Sequence, residues 1–361
     1  MRTMVGITVV AAIGIAILDA RAAAPADKPL HNGWEERQAY AEQIRVLIRK
    51  GSFDELERIA KDLISDDSRS SAGAPKIVDF YDAMRPLSDD KLPRPDFKGD
   101  GAERRMATYK AWAEAKPSSY LPKVGLSMAE FELAWRERGE GWAKDVPAEK
   151  MRVYEQHIAA SWEWARKARA ENENDPELYS YMIGMCRDVG CPRATVDDYL
   201  ASAIAMNPKY DSAYISMANY LLPRWQGSRE EFTKFAERAA NDNKALGNMV
   251  YARIASVGLL TEGDKFPSVY PDLQWERIRS GLLEIDKYYP DSTRTYHLLA
   301  RFAWVFRDKD TARNAQRRLT DHIDTDVVNF WWTPYNFLGA RKWALQDPAT
   351  PTKGAADVSQ R

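Results

Sequence analysis

The sequence has few of the residues on which many metal and catalytic sites depend. It contains only 2 Cys and 4 His among 361 residues. The histidines, His31, His157, His297 and His322, form no HExxH or comparable paired spacing, so we predict no metal site. The P-loop, G-x-S-x-G and G-x-G-x-x-G signatures are missing as well. No cofactor and no catalytic residue is therefore predicted.

The chain also has no excess of charge of either sign. It carries 52 Lys and Arg against 53 Asp and Glu, a formal net charge of −1. Nucleic-acid binders need an excess of basic residues facing phosphates, so nucleic acid is not an expected partner. With 45% hydrophobic residues, the composition is that of a folded globular protein and not of a disordered chain.

Long apolar runs are absent except at the N-terminus. Residues 4–18, MVGITVVAAIGIAIL, follow a basic start and precede small residues from Ala20 to Ala24. The run is shorter than the roughly 20 apolar residues of a membrane-spanning helix. The pattern predicts a signal peptide over residues 1–24, cleaved near Ala22 to Ala24, and a periplasmic or secreted protein. The alternative is a retained N-terminal anchor, the one case in which we expect a membrane partner.

Helical spacing dominates the rest of the chain. Apolar residues between Phe53 and Ile64 recur on one helical face, and Ser52 with Glu55 has the form of a capping box. The preceding segment has the same periodicity and stops at Gly51, a typical helix end. The two segments predict a helix hairpin with a very short connection.

Similar hairpins recur in the middle of the chain. Asp175-Pro176 and Asn207-Pro208 stand 32 residues apart, each before an aromatic-rich helix. Aligned on a tetratricopeptide unit of 34 residues, Gly184 and Ala203 occupy small-residue positions, where paired helices approach closely. This pattern predicts an all-α fold, a tetratricopeptide-like α-α superhelix of irregular helix hairpins.

We expect this superhelix to form a single domain. Its predicted bounds are residues 30–345. A loop rich in proline and glycine is predicted over residues 86–101, and a flexible tail over residues 346–361.

Several stretches resemble a known bacterial family. In chain order they are RKGSFDELERIAKDL, FYDAM, AWRERGEGWAKDV, NPKYDSAYISMANYLLPRWQGS and YYPDSTRTYHLLARFAWVFRDKDTARNAQRRL. Together they are similar to the domain of unknown function 4034 family across most of the chain. The resemblance implies a helical-repeat fold, often in exported proteins, and supplies no catalytic residues.

The two cysteines lie close together, in CRDVGC. An exported chain with neighbouring cysteines favours a disulfide between Cys186 and Cys191, across the turn that Gly190 begins. The alternative is two unpaired cysteines packed in the turn. Because the spacing is not that of a CxxC motif, a redox role is not expected.

Two groups of arginine and aromatic residues are candidates for partner binding. The first consists of Trp135, Arg138 and Trp142. Arginine beside aromatic rings is typical of interface anchors and also of sugar or peptide grooves. The structural alternative is that the rings pack in the core and that Arg138 caps a helix C-terminus.

The second group surrounds Pro223, which ends a helix. It consists of Tyr214, Tyr220, Arg224 and Trp225, and we expect Arg224 and Trp225 to lie beside the face that carries the two tyrosines. As in the first group, Arg224 can instead cap the helix and hold the loop.

These observations favour a non-enzymatic, exported helical-repeat protein that binds a protein or peptide partner. The alternative is a cell-envelope glycan-binding protein or hydrolase, with a cleft lined by Trp135, Trp142 or Trp225. A third possibility is a structural subunit of a membrane-associated complex that retains its N-terminal segment.

Overall fold

The computed structural model describes residues 29–87, 101–139, 141, 143–319, 330–331 and 333–346. Over these ranges the backbone is predominantly helical and contains no β-strand. Extended pairing is limited there to two isolated bridges, His31 with Ser292 and Arg69 with Pro75. The predicted all-α class is confirmed. The predicted signal peptide, residues 88–100 of the predicted loop and residues 347–361 of the predicted tail lie outside the described residues.

The helices of the first half of the chain are α1 (Gly33–Lys50), α2 (Phe53–Ser65), α3 (Lys76–Met84), α4 (Ala102–Ala115), α5 (Leu121–Arg138), α6 (Ala148–Glu171), α7 (Pro176–Val189) and α8 (Arg193–Met206). Those that follow are α9 (Asp211–Tyr220), α10 (Arg229–Asp242), α11 (Asn248–Glu262), α12 (Phe266–Val269), α13 (Trp275–Tyr288), α14 (Thr293–Phe306), α15 (Lys309–Arg318) and α16 (Pro334–Leu345). No helix within the described ranges combines the length and the apolar character needed to cross a bilayer.

Local sequence signals explain several helix ends. Gly51 closes α1 in the left-handed conformation, with φ of 69°, and its N–H bonds back to Ile48 and Leu47. Asp175 begins α7 by accepting hydrogen bonds from two backbone N–H groups. The predicted capping box is wrong in one respect, because Ser52 precedes α2 but its side chain makes no capping hydrogen bond.

The central helices form an inner row with outer partners. In the inner row α7 packs against α9, α9 against α11 and α11 against α13. Outside it, α8 packs on α7 and α9, and α10 packs on α9 and α11. One cluster of buried apolar side chains extends from Ala41 to Ala340. Because each hairpin buries its apolar stripe against its neighbours, the core is continuous along the row.

Two glycines in helices differ in whether a side chain would fit at their positions. A Cβ at Gly281 would lie 1.9 Å from the carbonyl oxygen of Asn248, so α13 and α11 approach too closely for any side chain there. A Cβ at Gly184 would meet no atom within 4 Å. The expectation that Gly184 allows close helix approach is therefore wrong, because this glycine faces open space. Ala203 is fully buried.

The segment that contains His31, α1 and α3 closes one side of the inner row. The backbone N–H of His31 donates to Asp291 at 2.8 Å, and Thr293 donates back to His31 at 3.1 Å. A second link runs through Asp211 of α9, whose carboxylate lies 3.3 Å from Arg69 and 2.9 Å from Arg253. Helices α1 and α3 thus lie opposite α9, α11 and α14, which leaves a groove between them.

Candidate functional site

The inner row presents one side-chain stripe per helix to this groove. On α7 and α9 the stripe residues follow helical spacing and are mostly small or polar. They are Glu177, Ser180, Gly184, Arg187, Ser212, Ser216 and Asn219. Glu177 and Ser180 are buried and hydrogen-bonded within the fold, whereas Gly184, Ser216 and Asn219 are partly exposed.

Three neighbouring cavities, which share lining residues, make up this inner groove. The first, of about 320 Å³, lies between α1 and the helices α9, α11 and α14. The second, of about 280 Å³, shares Arg253 and Arg294 with the first. The third, of about 220 Å³, lies beside α3 and α7 and shares Asn219 with the second. The inner groove therefore runs along several helices and can take an extended ligand.

Basic residues outnumber acidic ones on the walls of the inner groove. Among the described residues its walls carry six arginines, Arg37, Arg85, Arg187, Arg224, Arg253 and Arg294, and three acidic residues, Asp82, Glu177 and Asp211. Burial raises the pKa of Glu177 to about 8, against the effect of a hydrogen bond from Tyr210. Near pH 7 this carboxyl is mostly protonated, so arginines exceed ionised carboxylates among the described lining residues. Two of these arginines are balanced from behind the wall, because Arg37 pairs with Asp79 and Arg187 with Asp188.

A second buried carboxyl lies just behind the wall. Asp175 accepts hydrogen bonds from Tyr81 at 2.7 Å and from Tyr120 at 2.8 Å. Burial raises its pKa, while these hydroxyls act to lower it. Since Asp175 also caps α7 and is fully buried, its role is to fix the start of that helix.

The structure separates the members of the second predicted group. Arg224 and Tyr220 line the inner groove, in its second and third cavities. Tyr214 lies elsewhere, because it faces the outer helices, accepts a hydrogen bond from Asn243 at 3.0 Å and packs 6.1 Å from Phe235. It lines a cavity of about 820 Å³ between α8 and α10. The expectation that Arg224 and Trp225 share one face with both tyrosines is therefore wrong.

Trp225 is half-buried and supports the wall of the inner groove from behind. Its ring centre lies 4.4 Å from the guanidinium of Arg187 and 5.6 Å from that of Arg224. Its backbone N–H donates to Leu222 at 2.8 Å, which closes the turn after α9. Both arginines are thus held over one indole ring.

The first predicted group lies at the far end of α5. Arg138 stacks 4.7 Å from the ring centre of Trp135 and 5.8 Å from that of Tyr154. It also donates to the carbonyl of Gly139 at 2.9 Å, which matches the capping role. Trp142 lies outside the described residues. Trp135 belongs to a small apolar cluster with Tyr154, and neither Trp135 nor Arg138 is among the residues that line the inner groove.

The end of α7 connects the two groups. Tyr154 donates to Asp188 at 2.9 Å, and Asp188 pairs with Arg187 at 3.0 Å. Both charged residues lie between Cys186 and Cys191, which the structure joins in a disulfide with a Cα–Cα distance of 4.9 Å. The disulfide therefore encloses the two residues through which the α5–α6 tip contacts the wall of the inner groove.

Sequence reasoning missed most of the inner groove. Arg37, Arg253 and Arg294 come from three helices that are far apart in sequence, and no motif connects them. The polar spacing on α7 was the available signal. Within the described ranges, no group of three or more His, Cys, Asp or Glu residues is arranged to hold a metal ion.

Comparison with known proteins identifies one family. Residues 40–164, from α1 to α6, match the model of a domain of unknown function, DUF4034. The match does not extend to the later stretches, from Asn207 and from Tyr288, that also suggested the resemblance. No curated protein matches the chain. Residues 40–164 of this chain are therefore similar to the DUF4034 family.

Proposed function

We propose that this chain is an exported helical scaffold that binds a segment of another protein in the inner groove. The observation that carries the proposal is the groove itself, which runs along α7, α9 and α11 and is lined by polar and apolar side chains. Helical arrays commonly bind extended segments along such surfaces.

Export is supported by two features. Residues 1–24 have the pattern of a signal peptide, and the disulfide between Cys186 and Cys191 suits an oxidising compartment. We therefore propose that the scaffold works in the periplasm or after secretion. Intact-mass analysis of the protein from its native host tests this, since cleavage near Ala22 to Ala24 removes the N-terminal segment.

A protein segment suits the inner groove better than a glycan. Sugar polymers bind by stacking on exposed aromatic faces, but Trp225 is already covered by Arg187 and Trp135 packs against Tyr154. Hydroxyl and amide side chains such as Ser216 and Asn219 line the wall instead. These groups can hydrogen-bond the backbone of an extended peptide.

Gly184 offers a direct test, because it faces the inner groove and a Cβ there meets nothing within 4 Å. Gly184→Trp should fill the third cavity and abolish partner capture. Wild type, Gly184→Trp and Gly184→Ala are each immobilised, exposed to envelope extract of the native host, and compared by quantitative mass spectrometry.

The expected result is a protein enriched by wild type and Gly184→Ala and lost from Gly184→Trp. Circular dichroism of all three checks that the helical content is equal. If all three capture the same proteins, or if none enriches any, the inner groove is not a protein-binding site. If Gly184→Trp does not fold, Gly184→Leu replaces it.

A further inference from the structure

We infer that the second cavity of the inner groove binds a carboxylate that lies next to an aliphatic side chain. The ligand class is thus an acidic, leucine-like peptide segment. This inference rests on the proposed function and specifies what the bound segment contains. The carboxylate can belong to an Asp or Glu side chain or to the C-terminus of the partner.

The first argument for this ligand is the charge of the residues that line the cavity. Its walls include Arg224, Arg253 and Arg294, and among the described residues that line it none is acidic. Guanidinium groups that line a cavity favour an anion there. Because the whole chain has a net charge of −1, this excess of arginine is local to the site and not a property of the entire sequence.

The arginines differ in how their charge is balanced. Arg253 pairs with Asp211 at 2.9 Å, but that carboxylate also contacts Arg69 at 3.3 Å. Arg69 also pairs with Asp67 at 3.2 Å, so the charge of Arg253 is balanced by Asp211. Arg224 is exposed, and the contact made by its guanidinium is the 5.6 Å stacking on Trp225. Its five N–H donors can therefore reach an incoming carboxylate.

The floor of the cavity defines the second half of the ligand. It is formed by aliphatic side chains, namely Ile215, Val257, Leu260, Leu282, Ile285 and Leu298. The guanidinium groups can bind a carboxylate, and the aliphatic residues can pack against an aliphatic side chain of the same segment. Asn219, on the wall of both the second and third cavities, provides an amide for the backbone of that segment.

A peptide is favoured over a fatty acid as the carrier of the carboxylate, because the groove continues beyond the second cavity. Ile215, Leu260, Arg253 and Arg294 line both the first and second cavities, so the ligand can continue in either direction. A simple fatty acid has no amide groups to use the polar wall. A peptide of alternating Asp and Leu supplies carboxylates, aliphatic side chains and amides together.

The test uses fluorescein-labelled peptides of five Asp-Leu or five Asn-Leu repeats, each with a free or amidated C-terminus. Binding to the full chain is measured by fluorescence anisotropy at low and high salt. We expect the Asp-Leu peptide to bind at least about tenfold more tightly than the amidated Asn-Leu peptide, the effect of one charged hydrogen-bonded contact. If the free Asn-Leu peptide binds like the Asp-Leu peptides, the carboxylate comes from the chain end.

Arg224→Gln should weaken Asp-Leu binding by about tenfold, because one guanidinium contact is lost. The matched control is Arg317→Gln, which removes one charge from an exposed position on α15, away from the inner groove. The control should bind like wild type. Equal weakening by both variants, or no effect of Arg224→Gln, overturns the carboxylate site.

The remaining outcomes separate the inference from the proposed function. If Asp-Leu and amidated Asn-Leu peptides bind equally and Gly184→Trp blocks both, the inner groove binds peptides but the carboxylate site is wrong. If the Asp-Leu peptide does not bind at all, the ligand class is wrong, while the capture experiment with Gly184→Trp still decides whether the groove binds protein.

Discussion

Tyr154 donates a 2.9 Å hydrogen bond to Asp188, and this contact ties the α5–α6 hairpin to the end of α7. The side chain of Asp188 is almost completely buried and pairs on its other side with Arg187, whose guanidinium lies over Trp225. The hairpin thus contributes to the position of an arginine on the wall of the inner groove.

Tyr154→Phe should destabilise the protein by about 1–3 kcal/mol, because the buried Asp188 carboxylate loses a hydrogen-bond donor. Urea unfolding followed by circular dichroism measures the change. Tyr288→Phe is the matched control, since Tyr288 is 60% exposed on α13 and should change the free energy of unfolding by less than about 0.5 kcal/mol. Equal stability of the two variants would contradict a structural role for the Tyr154 hydroxyl.

The sequence predicts the individual helices well because their signals are local. Gly51 ends α1 as its position indicates, and Asp175-Pro176 begins α7. Sequence-based reasoning selected Arg224 as a candidate because proline marks the end of α9 nearby, and the structure places Arg224 on the wall of the inner groove. It could not identify Arg253, because its place in the inner groove depends on how α11 packs.

Contacts between segments that are far apart in the chain could not be predicted from the sequence either. His31 pairs with residues 291–293, and no periodic pattern indicates which distant segments will meet. The same limit explains the error on Tyr214. An aromatic residue at helical spacing predicts burial, but whether it faces the inner groove or α10 depends on the neighbouring helices.

Two glycines in helix interiors should respond in opposite ways to alanine. Gly184→Ala should stabilise the protein by up to about 1 kcal/mol, because alanine has the higher helix propensity and the added methyl group meets no atom within 4 Å. Gly281→Ala should destabilise it, because the added Cβ would lie 1.9 Å from the carbonyl oxygen of Asn248. Thermal and urea unfolding measure both, and changes of the same sign would contradict the packing described for α7 and α13.

Glu177 should make stability depend on pH. The ordinary pKa of its carboxyl is 4.5 and burial raises it to about 8 in the folded protein. Between these values the folded state holds a proton that the unfolded state has released. This contribution to the free energy of unfolding therefore falls as pH rises from about 4.5 to 8.

Glu177→Gln cannot ionise and should lose this part of the pH dependence. The measurement is the urea midpoint at pH 5.5, 6.5, 7.5 and 8.5 for wild type, Glu177→Gln and the exposed control Glu155→Gln. We expect a shallower decline for Glu177→Gln and a wild-type decline for Glu155→Gln. Parallel curves for wild type and Glu177→Gln would show that the carboxyl is already ionised throughout this range.

The disulfide between Cys186 and Cys191 should contribute modestly to stability. It closes a loop of only 5 residues in sequence separation, for which the loss of chain entropy in the unfolded state corresponds to about 2 kcal/mol. Because Arg187 and Asp188 lie inside this loop, opening it should also loosen the contacts with Trp225 and Tyr154. Cys186→Ala/Cys191→Ala should therefore unfold at lower urea than oxidised wild type and be insensitive to reductant. Wild type treated with dithiothreitol should match the variant, with full reduction checked by thiol titration. If the urea midpoint of fully reduced wild type is unchanged, the helix end is held by its other contacts alone.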